Sequence, residues 1–149
     1  MGHLFPNFAT VSNAIVNIFA YKLLFVFPYP YEYVLYLNKF LKENLNNYDN
    51  VYINSNDNCI PHILNISIKG VKPETMLHAL EKYEVYISTQ TACSSEKSIS
   101  KAVLALTKDE ERAKSSIRIS LSYKTTKEEL EEFLRIFDKC YKELMLKWE

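Results

Sequence analysis

Two residues stand apart for the chemistry they could perform. Cys93 lies in Ser88-Thr89-Gln90-Thr91-Ala92-Cys93-Ser94-Ser95, a hydroxyl-rich stretch between an expected strand and an expected helix. A polar loop exposes a thiol and lets it travel towards a substrate, whereas a thiol packed among apolar neighbours is inert. Taken alone, the stretch weighs towards an ordinary thiol, because no activating base adjoins it and the closest cation in sequence is Lys97. Arg118 sits in Ser116–Leu121, where Ile117, Ile119 and Leu121 alternate with Arg118 and Ser120. An arginine on the polar side of a strand can fork onto a carboxylate through two parallel hydrogen bonds. Two plainer alternatives, a solvated arginine or a partner for a local glutamate, weigh more on the residues alone.

The other reactive side chains point to packing or surface roles. Cys59 and His62 share a turn, but two ligands fall short of the three or four a metal site needs. His78 belongs to a helix and reads as a structural or surface histidine. Cys140 adjoins the apolar stripe of the last helix and reads as a packing residue. Neither a serine-nucleophile motif nor aromatic–basic interleaving suited to RNA is present. The sequence holds only two glycines, Gly2 and Gly70, so no glycine-rich cradle for a phosphate or dinucleotide can be built. Net charge is zero, from 18 basic and 18 acidic side chains, which gives no field for nucleic acid. Three scattered cysteines and the absence of a basic start at Met1-Gly2-His3 fit reduced thiols in the cytoplasm.

The elements that must position these residues follow from periodicity. Phe8–Phe27 is strongly apolar but broken by Thr10, Ser12, Asn13, Asn17 and Lys22, so it reads as a helix packing on protein rather than a membrane span. Pro28 and Pro30 should break it. A second helix is expected from about Tyr31 to Leu45, with Val34, Leu37, Leu41 and Leu45 on one face. Strands are expected at Val51–Asn54, Ile63–Ile68, Val85–Ser88 and Ser116–Leu121. A helix opened by Pro73 should bury Met76, Leu77, Leu80 and Tyr83. Shorter helices are expected over Ser100–Leu106 and near Asp109–Lys114, with Thr89–Ser98 left as loop. Thr126 and Glu129 form a capping box that starts the last helix, striped by Leu130, Phe133, Leu134, Phe137, Tyr141 and Leu144. The order implies an α+β fold, a sheet covered on one face, with residues 1–30 as an apolar helical segment and 31–149 as the domain proper.

Four pieces, in order and at matching spacing, resemble the C-terminal region of NifS/IscS-like cysteine desulfurases, class V of the aminotransferase family. They are Pro61-His62-Ile63-Leu64-Asn65-Ile66-Ser67, the Cys93 loop, Ser115-Ser116-Ile117-Arg118-Ile119-Ser120-Leu121 and Thr125-Thr126-Lys127-Glu128-Glu129. Pro6-Asn7-Phe8-Ala9-Thr10-Val11 faintly resembles the segment after the family's Gly-Thr motif, although His3 follows Gly2 here. The resemblance implies the small C-terminal domain of a fold-type I pyridoxal-phosphate enzyme, with a mostly antiparallel sheet covered by helices. It implies that Cys93 is the persulfide cysteine and that Arg118 grips the carboxylate of the substrate L-cysteine. In such an enzyme the cofactor is the electron sink that weakens the carbon–sulfur bond; the thiolate takes the sulfur and alanine leaves.

The family's Schiff-base lysine lies in a Ser-x-His-Lys-type motif of a large N-terminal domain. That motif is not found in this sequence, and Lys22, inside an apolar helix, is no substitute. The chain is therefore expected to be a fragment, a split gene product or a decayed copy, binding no cofactor and turning over no substrate alone. Expected partners are a sulfur-acceptor protein, such as an iron–sulfur scaffold or a tRNA-thiolating enzyme, and a cofactor-domain chain or a second copy. Neither nucleic acid nor membrane is expected as a partner. The alternatives are a persulfide carrier without catalysis of its own and an interaction domain that binds through Phe8–Phe27.

Overall fold

The computed structural model describes residues 28–89 and 99–146. The expected helix over Phe8–Phe27, and the segment from Gln90 to Ser98 that contains Cys93, lie outside the described residues. Helix α1 (Pro28–Leu45) leads into strand β1 (Val51–Ile53) and, after a polar turn, β2 (Ile63–Ile68). Helix α2 (Pro73–Glu81), strand β3 (Ser88–Thr89), the short helices α3 (Lys101–Thr107) and α4 (Glu110–Lys114), strand β4 (Ser116–Ser120) and helix α5 (Lys127–Met145) follow.

The four strands pair antiparallel in the order β1-β2-β4-β3. Register follows the apolar alternation: Leu64 faces Ile119, and Ile66 lies between Ile53 and Ile117, so one face of the sheet is hydrocarbon. Val34, Leu37, Leu41 and Leu45 of α1, Met76 and Leu80 of α2, and Leu130, Phe133 and Phe137 of α5 close over that face as one buried core. Asn38 sits within the buried stripe of α1, and its amide donates to the Pro61 carbonyl (2.9 Å), as a buried polar group must.

Helix starts are set by side chains. Ser100 accepts from the Val103 amide at 3.1 Å, and Asp109 Oδ1 accepts from the Arg112 amide at 3.1 Å. The capping box of α5 is complete: Thr126 Oγ1 accepts from Glu129 N (3.1 Å) while Glu129 Oε2 accepts from Thr126 N (2.8 Å). Gly70 turns the chain between β2 and α2 at φ +87°, where a side chain would be strained.

Four expectations need correction. Helix α1 begins at Pro28 rather than Tyr31, because amides in a first turn have no intrahelical partner and proline costs nothing there. Tyr83 lies beyond the end of α2 and is 36% exposed, its ring covered instead by Lys139 at 4.8 Å. The strand expected over Val85–Ser88 is displaced to Ser88–Thr89; Glu84, at φ +60°, turns the chain before it. The second face of the sheet is not wholly open. α4 lies over the β2 end of it and buries Ser67 and Ser116.

Candidate substrate-binding face

On the outer face of the sheet, Arg118 of β4 stands between Asn65 of β2 and Ser88 of β3, its directly opposed partners in register. Opposed residues of antiparallel strands project to the same side with Cβ atoms about 5 Å apart, so the three side chains form a row. Arg118 is exposed, as its alternation predicts, and among the described residues its guanidinium has no hydrogen bond and no carboxylate partner. The other two arginines are committed. Arg135 is held by both carboxylate oxygens of Glu132, and Arg112 by Asn54 and the Ile53 carbonyl. Its neighbours on this face, Asn65, Ser88, Ser116 and Ser120, are all neutral. Arg118 thus presents an uncompensated positive charge with a planar fork of donors, an arrangement suited to a carboxylate.

The β2 side of Arg118 rests on a polar cluster that the sequence did not single out. Arg112 Nε and Nη2 donate to Asn54 Oδ1 at 3.1 and 2.6 Å, and Nη2 also donates to the Ile53 carbonyl at 2.9 Å. The guanidinium lies over the ring of Tyr52, 5.3 Å from its centre, and Lys69 lies 4.9 Å from the same centre. Asn54 Nδ2 donates to Asn65 Oδ1 and to Ser67 Oγ, each at 2.7 Å, and Ser67 Oγ donates to the Arg112 carbonyl at 2.7 Å. Lys69 pairs with Asp109 at 2.9 Å; this contact lowers the Asp109 carboxyl and raises the Lys69 ammonium from their ordinary values. The cluster bolts α4 to the sheet beside the open row. Its only foreshadowing was the polar side of the alternation in Ile63–Ile68, where Asn65 and Ser67 fall.

Strand β3 ends at Thr89, opposite Ile117, and the Gln90–Ser98 segment begins there; on its far side the Ser100 amide donates to the Ala113 carbonyl at 2.9 Å. The described residues that flank the segment are thus held at β4 on the Thr89 side and at α4 on the Ser100 side. The remaining thiols and histidines keep plain roles. Cys140 is 1% exposed, its thiol faces the Ala79 carbonyl at 3.5 Å, and burial pushes its pKa up, against thiolate formation. Cys59 is exposed and donates to Asn56 Oδ1. His62 lies against Tyr31, and His78 pairs with Glu81 on the same helix. Among the described residues no group of three metal-ligating side chains converges, and no helix is long and apolar enough to cross a membrane.

Hydrogen bonds to Asp109, Glu131 and Tyr83 hold the ammonium groups of Lys69, Lys127 and Lys139 above the usual lysine range. No loop offers the glycines of a phosphate cradle.

A family model, described as aminotransferase class-V, matches residues 31–133. The chain is 36% identical over 108 residues to the cysteine desulfurase IscS of Buchnera aphidicola subsp. Baizongia pistaciae, covering 71% of this chain and 26% of that protein. It is 39% identical over 82 residues to the NifS/IcsS protein homolog of Lactobacillus delbrueckii subsp. bulgaricus, covering 54% of this chain and 21% of that one. Among solved structures, the NifS-like protein of Rickettsia africae superposes with a TM-score of 0.64 at 29% identity, over 77% of this chain and 30% of that one. The chain thus spans about a quarter of the length of these curated relatives.

Proposed function

Because this chain belongs to the aminotransferase class-V family, we propose that it carries the substrate-gripping and sulfur-accepting part of a cysteine desulfurase. In this reading Arg118 holds the carboxylate of L-cysteine and Cys93 receives its sulfur. The family is pyridoxal-phosphate-dependent; the cofactor supplies the electron sink and comes with a lysine-bearing part outside the described residues. What this chain contributes is orientation and a nucleophile. Arg118, forked onto the acid group, fixes one end of the amino acid so that its sulfur lies within reach of the incoming thiolate. Cys93 follows Thr89 by four residues, and four residues reach at most about 14 Å from the sheet edge where β3 meets β4. A sulfur–sulfur bond forms at Cys93 and the substrate's carbon–sulfur bond breaks. The electron pair stays with carbon, which takes up a proton and departs as alanine. The persulfide then passes to an acceptor protein.

The observation that carries the reading is the exposed guanidinium of Arg118, unpaired among the described residues, one strand away from the start of the Cys93 segment. The test is reconstitution with the lysine-bearing domain of a similar desulfurase, pyridoxal phosphate and L-cysteine, with alanine as the readout. We expect turnover from the mixture and none from this chain alone. Arg118→Ala should cut kcat/KM by at least about 100-fold, the loss of roughly 3 kcal/mol for a charge-assisted hydrogen-bonded pair, and Arg118→Lys should recover only part of it. A mixture that works equally well with Arg118→Ala overturns the assignment.

A further inference from the structure

Arg112 fixes the polarity of a chain of side-chain amides that ends beside Arg118. A guanidinium only donates, so the Asn54 oxygen must face Arg112 (2.6 and 3.1 Å), which turns the Asn54 NH2 group away. Both of those N–H bonds are spent, one on Ser67 Oγ and one on Asn65 Oδ1, each at 2.7 Å. The Asn65 amide is thereby oriented without ambiguity: its oxygen is occupied and its NH2 is left over. The backbone of Asn65 is held as firmly, its N–H donating to Ser55 Oγ (2.9 Å) and its carbonyl accepting from Asn54 N (2.9 Å). Among the described residues nothing accepts from Asn65 Nδ2, and nothing accepts from Arg118, its partner across the ladder. Two unused donor groups, one charged and one neutral, therefore share one open face, and no neighbour in the row is an acid.

We propose that Asn65 is a second anion-binding residue, donating from Nδ2 to the same carboxylate that Arg118 grips. This deepens the proposed function and rests on it. A carboxylate offers more lone pairs than a bidentate guanidinium fills, and the neutral amide satisfies one that would otherwise face water or nothing. Asn54 and Arg112 are positioning residues: they touch no ligand but decide which end of the Asn65 amide is presented. The same amide would meet a sulfate or phosphate less well, since the row provides one charge only.

The test is a titration of the 15N-labelled chain with sodium acetate and with L-alanine, following the Arg118 Nε–H and Asn65 Nδ2–H2 resonances. The inference expects both to shift along one saturation curve. If Arg118 shifts and Asn65 does not, Asn65 is structural and this inference fails while the Arg118 reading survives. If neither shifts, both fail. Asn65→Asp keeps the acceptor that Asn54 needs but places a carboxylate against Arg118; it should weaken acetate binding at least tenfold. Should that variant not fold, Asn65→Ala is expected to weaken binding several-fold while leaving the Arg118 shift in place. Either folded variant binding like the parent chain overturns the proposal.

Discussion

At the scale of single residues, the outer face divides into side chains that are spent and side chains that are not. Arg112, Asn54 and Ser67 all complete bonds within the fold; among the described residues, Arg118 does not. An alternating strand explains why Arg118 points outward, and this much was legible from Ser116–Leu121. Neither the pairing of Arg118 with Asn65 nor the relay behind it could be read there, because a cross-strand partner is fixed by register and not by sequence distance. Ser116 illustrates the opposite case. Its hydroxyl is buried beneath α4 and, among the described residues, has no partner. A desolvated hydroxyl without a hydrogen bond costs about 1–3 kcal/mol, so Ser116→Ala should raise stability by up to about 1 kcal/mol, measured as a higher urea midpoint. An unchanged or lowered midpoint would mean that the hydroxyl is satisfied in solution.

At the scale of elements, α5 and the turn after α1 are joined by Tyr48. Its ring meets Phe137 and Tyr141 edge-on at 5.4 and 4.9 Å, and its hydroxyl donates to Asp138 at 3.2 Å. Burial, then the Asp138 carboxylate, push the Tyr48 phenol from its ordinary 10.0 up to about 12. A group with a raised folded-state pKa contributes stability that is whole below the unfolded value and is lost as pH climbs through the folded one. The chain should therefore lose stability between pH 10 and about 12, and Tyr48→Phe should flatten that part of the curve in denaturant titrations read by circular dichroism. Equal slopes for the two proteins would show that the phenol ionises freely.

Elements differed in how plainly the sequence announced them. The Thr126–Glu129 box is a local pattern and appears as expected; of the expected stripe of α5, Leu130, Phe133 and Phe137 are buried, while Leu134, Tyr141 and Leu144 are only partly so and Ile136 joins Cys140 on the buried side. Ser100 and Asp109, as caps, mark the starts of α3 and α4. β3 was misplaced because the β-formers Val85, Tyr86 and Ile87 attract a strand assignment, while pairing with β4 is what selects Ser88–Thr89. Tyr83 was misread for a related reason: it continues the helical spacing of α2 past the point where the helix ends.

At the scale of the molecule, the fold is a four-stranded sheet with one face sealed by three helices and the other half-covered by α4. Among the described residues, the other half holds the row of Asn65, Arg118 and Ser88, in which Arg118 is exposed, and the chain spans about a quarter of its curated relatives. In our account that half is where the lysine-bearing part and its cofactor stand, with the Cys93 segment rooted at its rim. The most direct test is peptide mass spectrometry of the reconstituted mixture after a pulse of 34S-labelled L-cysteine, with thiols trapped by alkylation. The account predicts one added labelled sulfur on the peptide containing Cys93, and its loss in Arg118→Ala. Label on Cys59 instead, or alanine formed at full rate with Cys93 unmodified and Cys93→Ser fully active, would contradict it.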